Sequence, residues 1–125
     1  MIALSTFAAC AAEDRVAEQI QPSELAERIA AGTAPVILDV RSPEEFAEGH
    51  LPGARNVPYD ALADRLGELG IASDTEVVAY CQSGRRAAIA AGVLHDGGYI
   101  NVRDLSGHWQ GWREAGLPVE QPSPN

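Results

Sequence analysis

Basic residues are scarce in this chain: nine Lys and Arg stand against eighteen Asp and Glu, a formal net charge of −9 over 125 residues. That balance argues against nucleic acid or an anionic membrane surface as a partner. Cysteine is scarcer still. The two present, Cys10 and Cys81, sit in unlike surroundings, so no disulfide framework is indicated. His50, His95 and His108 lie far apart and neither CxxC nor HxxxH spacing occurs, so no metal site is read. No low-complexity block is present, and no apolar run is long enough to span a bilayer. What remains is the composition of a globular domain, long enough for one core and too short for two.

The first residues leave two readings open. "MIALSTFAACAAEDR" is apolar, then rich in small residues, then charged from Glu13. This is the profile of an export leader, although no basic residue precedes the apolar part, which is short. "FAAC" loosely resembles a lipoprotein box ending at Cys10, with Phe7 where leucine is usual. Residues 1–20 therefore read as a tail: the leader of a periplasmic or exported protein, or a segment retained by a cytoplasmic one.

From residue 21 onward, helical and extended signals alternate. "QPSELAERIAAG" spaces Leu25 and Ile29 on one helical face and stops at Gly32. "APVILDV" is a continuous apolar run, suited to a strand buried on both faces. "SPEEFAEGH" opens with Ser42 as N-cap, Pro43 in the first helical position and Glu45 completing a capping box, and Gly49 ends it. A short strand follows in "GARNVPY", then a helix in "DALADRLGELG" with Asp60 as its cap and Leu62, Leu66 and Leu69 on one side. "TEVVAY" is a strand, residues 84–95 are helical, "YINVRDL" is a strand, and "HWQGWREAG" is a last short helix. Alternation of this kind predicts an α/β domain, a mostly parallel central sheet with helices on both faces. In such sheets ligands bind at the carboxyl ends of the strands, and Cys81 follows the last residue of one.

The stretch "YCQSGRRA" gathers the chain's rare residue types in one turn. With Cys81 at the strand end and the helix starting near Arg86, backbone N–H groups from Gln82 to Arg86 converge on one spot. A helix N-terminus carries about half a positive charge and unpaired donors, so it favours an anion. Thiolates placed beside helix N-termini and arginines have depressed pKa values. Gly84 allows the backbone to curl and aim those donors inward. Arg85 and Arg86 stand against the preference of the helix dipole, which an anionic ligand would offset. Cys81 thus reads as an activated nucleophile, and Gln82, Ser83, Gly84, Arg85 and Arg86 as the pocket for an anionic substrate. The reading fails if the thiol is sealed in the apolar interior, out of reach of solvent and turned away from those amides.

Three stretches carry a family resemblance. "LDVRSPEEFAEGHLPGARNVP" (residues 38–58), "YCQSGRRA" (80–87, a CxxGxR loop) and "NVRDLSGHWQGWREAGLPV" (101–119) resemble, in this order, the rhodanese family. His108 stands where a second glycine is common. The resemblance covers residues 21–119 and implies a single rhodanese-like domain, with residues 120–125 as a C-terminal tail. It also implies sulfur transfer. The Cys81 thiolate would take the outer sulfur of thiosulfate or a similar small anionic donor, and a thiol or cyanide acceptor would remove it from the Cys81 persulfide. No cofactor is implied, and the expected form is a monomer. Asp39 and Arg41, at the end of the neighbouring strand, are expected to brace the loop, and His50 to fix a turn. Trp109 and Trp112 are expected in the core.

Two other classes compete. Phosphatases sharing this fold close a longer loop with an arginine six residues after the cysteine; here the arginines lie four and five residues on, and Ala87 is the sixth. A persulfide carrier or protein-binding module is the other alternative, and retention of Cys81 favours chemistry over an inert module.

Overall fold

The computed structural model describes residues 17–121. The leader-like stretch and Cys10 lie outside the described residues. Five strands form one sheet: β1 (Glu18–Ile20), β2 (Val36–Asp39), β3 (Arg55–Asn56), β4 (Val77–Tyr80) and β5 (Val102–Leu105). They lie in the order β1-β5-β4-β2-β3, and every pairing is parallel. The helices are α1 (Pro22–Ala31), α2 (Pro43–Glu48), α3 (Leu62–Arg65), α4 (Arg85–Asp96) and α5 (His108–Glu114).

Successive strand residues serve opposite faces, as the pleat requires. Leu38 and Val77 join Leu62, Leu69, Ala90 and Leu94 in one cluster; Ile37 and Val78 join Leu25, Leu105, Trp109 and Trp112 in the other. Both faces of the sheet are therefore covered, which explains why the central strands read as unbroken apolar runs. Trp112 is fully buried and Trp109 is 7% exposed, as expected of core aromatics.

Several local signals act as read. Gly32 takes a left-handed φ of +78° and its N–H bonds back to Ile29 and Arg28 carbonyls. Ser42 Oγ accepts from Glu45 N at 3.2 Å while Ser42 N donates to Glu45 Oε1 at 3.0 Å, a complete capping box.

Three boundaries differ. Glu18–Ile20, assigned by sequence to the tail before residue 21, is an edge strand paired with Arg103–Leu105. Ile20 is fully buried, and that one apolar anchor makes the segment part of the sheet. At the other end Glu120 forms an antiparallel bridge with His50. Asp60 is not a helix cap: a turn closed by Ala61 N donating to Pro58 O at 2.9 Å delays the helix, whose N-cap is Ala61. The expected single helix is short α3, which tightens into a 3-10 turn at Leu66–Glu68 around Gly67.

Chain direction locates the crevice. After β2 the chain moves by α2 to β3 on one side, and after β4 it moves by α4 to β5 on the other. The connections diverge between the carboxyl ends of β2 and β4. That is the topological switch point where open α/β sheets bind ligands.

Candidate active site

Asp39 ends β2 and lies in register with Tyr80, which ends β4. Cys81 is the next residue. Gly84, at φ +130°, turns the chain into α4, which starts at Arg85, one residue from the expected position. In that turn the Cys81 Sγ accepts from Gly84 N at 3.0 Å and from Ala87 N at 3.3 Å. Among the described residues, the N–H groups of Gln82, Ser83, Arg85 and Arg86 donate to no protein acceptor. Four free donors thus share the turn with a sulfur already held by two others. The thiol faces the amides, as the reading required, but Cys81 is only 1% exposed. The orientation is met; the exposure is not.

The strand ends beneath this turn are locked. Asp39 and Arg41, 0% and 2% exposed, pair through Arg41 Nη2 on Asp39 Oδ2 at 2.6 Å and Arg41 Nε on Asp39 Oδ1 at 3.0 Å. Arg41 Nη2 also donates to Gly49 O at 2.7 Å, and its guanidinium lies 4.6 Å from the Trp109 ring centroid. The Tyr80 hydroxyl donates to Asp39 Oδ2 at 2.7 Å and accepts from Leu51 N at 3.1 Å. Burial, reinforced by the Asp39 carboxylate, pushes the Tyr80 phenol well above its ordinary pKa. Asp39 and Arg41 therefore brace the residue before Cys81, with no side-chain hydrogen bond to the turn itself.

The two arginines differ. Arg86 forks onto Glu45, with Nη1–Oε1 at 2.7 Å and Nη2–Oε2 at 3.1 Å. This bond, helped by those from Ser42, holds the Glu45 carboxyl down at about 2. Arg85 is exposed and makes no side-chain hydrogen bond or ion pair among the described residues. A cavity of about 250 Å³ beside the turn is lined by Arg41, Ser42, Pro58, Tyr59, Asp60 and Arg86 among others, and Cys81 is not part of its wall.

His50 lies just past the end of α2. Its Nδ1 lies 2.8 Å from Phe46 O and its ring stacks on Phe46 with centroids 3.6 Å apart, so it fixes the turn after α2. Sequence reasoning missed three participants. Glu45 reads as a cap only, Tyr80 as a strand residue, and His108 as a departure from glycine; yet His108 Nδ1 lies 3.3 Å from the Cys81 backbone N. Each acts across 27 to 41 residues of chain, and only a strand order reveals such pairs. Among the described residues no group of His, Cys, Asp and Glu could hold a metal ion.

The fold is an open parallel α/β sheet whose switch-point cysteine accepts two amide hydrogen bonds at the start of a helix. The chain matches the Rhodanese-like domain over residues 21–115 and belongs to that family. It is 35% identical over 122 residues to thiosulfate sulfurtransferase 16, chloroplastic, of Arabidopsis thaliana, covering 88% of this chain and 98% of the relative. It is 40% identical over 109 residues to the HTH-type transcriptional regulator Rv0324 of Mycobacterium tuberculosis, where 86% of this chain spans 46% of the longer protein. Among solved structures, the rhodanese-related protein of Thermoplasma volcanium superposes with a TM-score of 0.72 at 30% identity, over 84% of this chain and 99% of that one. The family is thus one with sulfurtransferases among its members.

Proposed function

We propose that the protein moves a sulfane sulfur from thiosulfate, or a similar small anionic donor, to a thiophilic acceptor through a persulfide on Cys81. The observation that carries this reading is the ring of amides: two donate to Cys81 Sγ, and those of Gln82, Ser83, Arg85 and Arg86 have no acceptor in the described protein. The Cys81 thiolate attacks the outer sulfur of thiosulfate. A sulfur–sulfur bond to Cys81 forms as the old sulfur–sulfur bond breaks, and its electron pair leaves with sulfite. The terminal sulfur of the persulfide then carries negative charge in the turn that holds the free amides, whose role would match that of an oxyanion hole. An acceptor such as cyanide or a thiol attacks that terminal sulfur and returns Cys81 as thiolate. The same sulfur receives and hands on, so the cycle needs no cofactor.

The arginines divide the remaining work. Arg86, fixed on Glu45, orients the start of α4 and is partly neutralised by its partner. Arg85 supplies the uncommitted positive charge for the donor. The enclosure of Cys81 favours a slender donor with a terminal sulfur over a branched one.

The test is turnover of thiosulfate with cyanide beside turnover of a chromogenic phosphate ester. Wild type should form thiocyanate, and Cys81→Ser should lose at least about a thousandfold of that rate. Hydrolysis of the ester alone would assign the site to phosphatase chemistry instead.

A further inference from the structure

His108 opens α5 with a φ of +53°, and among the described residues no other non-glycine residue has a positive φ. Histidine enters this region more readily than most side chains, but glycine takes it freely. A glycine in this place would offer the cysteine turn no side chain. The imidazole does. It is 6% exposed, its Nδ1 lies 3.3 Å from Cys81 N, and its Nε2 lies 3.4 Å from Oδ2 of Asp104 on β5. A Cβ added to Gly84 would stand 3.3 Å from Nε2, so the ring also backs the turn.

The Cys81 N–H needs that acceptor. Strands β4 and β5 pair only from Val77 with Val102 to Ala79 with Asp104, so the sheet offers no register partner at Cys81. A buried amide without an acceptor is destabilising. An amide can only donate, so Nδ1 carries no proton and the ring hydrogen sits on Nε2, toward Asp104. The next residues complete the hold: Trp109 N donates to Cys81 O at 3.0 Å and Gln110 N to Gln82 O at 3.2 Å. Consecutive residues of α5 thus grip Cys81 at both its amide and its carbonyl.

We propose that His108 is a positioning residue for the Cys81 turn that works only as a neutral ring, and that protonation of Nδ1 releases the turn. Its consequence for catalysis rests on the sulfur-transfer reading; its geometry does not. A proton on Nδ1 sets one donor against another, and Cys81 N–H loses its partner. The titratable groups facing the ring are Asp104 from β5, with Oδ2 3.4 Å from Nε2, and Cys81 from the end of β4. Gly84, at the start of α4, brings no charge, and Arg113 of α5 lies over the Trp109 ring. Histidine side chains as a class change charge between about pH 5 and 8, and that is the range over which release is to be sought. The Glu45–Arg86 clamp survives there, because its carboxyl titrates at about 2.

The test is NMR of the full chain across pH, with two variants. In wild type the Cys81 amide resonance should move with the same midpoint as the His108 ring resonances. His108→Asn keeps an acceptor near the place of Nδ1 and tolerates a positive φ, but has no titrating ring. Its Cys81 amide should lack the step that tracks the His108 ring and remain protected from hydrogen exchange. His108→Gly should lack that step too, with Cys81 N–H exchanging about tenfold faster. Sulfur loading from thiosulfate, followed in parallel, should fall about tenfold more from about pH 8 to about pH 5.5 in wild type than in His108→Asn. A Cys81 amide that stays still while the His108 ring titrates overturns the proposal, as does one that moves equally in His108→Asn. Failure of wild type to take up sulfur at any pH refutes the sulfur-transfer reading alone, since the amide titration judges His108 independently.

Discussion

The two ends of the sheet use the same residue types in opposite ways. Near the amino ends of the strands Glu76 holds Arg28 at 2.8 Å and Arg103 at 3.1 Å, with side chains 23%, 28% and 16% exposed. The Arg28 guanidinium, then that of Arg103, holds the Glu76 carboxyl below its ordinary value. At the carboxyl ends Asp39 and Arg41 form their pair almost wholly out of water, and Tyr80 completes it. Water can replace a lost partner in the open network but not in the closed one. The closed end is the one that carries the cysteine turn, where two amides hold the sulfur.

The sharpest way to break this comparison is to remove one carboxylate from each end. Asp39→Ala strands a buried guanidinium and should cost about 3–5 kcal/mol, whereas Glu76→Ala should cost about 1 kcal/mol or less, both read from denaturant midpoints. Equal losses would erase the distinction. Gly84→Ala tests the turn itself. Its φ of +130° strains any side chain and its Cβ would meet His108 at 3.3 Å. A loss of about 1–3 kcal/mol is expected, accompanied by slower sulfur uptake. The smallest effect belongs to Glu45→Gln, a part-exposed clamp worth about 0.5–1 kcal/mol at neutral pH. Because the Glu45 carboxyl is depressed from 4.5 to about 2, the clamp's contribution is complete above that ordinary value. It is lost as pH falls from 4.5 toward about 2, so the difference between wild type and variant, measured by denaturation, should shrink over that window and nowhere else.

Signals that act within a few residues were legible in sequence. Ser42, Pro43 and Glu45 announce a helix start, Gly32 a helix end, and the apolar run before Cys81 a buried strand leading to a turn. Legibility stops where partners are far apart in sequence. Arg86 reads as an uncommitted cation until β2 and β4 are set side by side, which delivers Glu45 to it. Asp39 and Arg41 read as a brace for the turn, but only the register shows that they brace it through Tyr80. The strand Glu18–Ile20 is too short for periodicity to mark, and its place depends on one buried side chain, Ile20. Asp60 carries a true capping preference that the Pro58 turn overrides.

All of this bears on one sulfur atom. After incubation with thiosulfate and removal of excess donor, mass analysis of the peptide containing Cys81 tests the account most directly. Wild type should carry the mass of one additional sulfur on that residue, discharged by cyanide, and Cys81→Ser should carry none. An equal sulfur load in the variant, or sulfur found elsewhere in the chain, would contradict it.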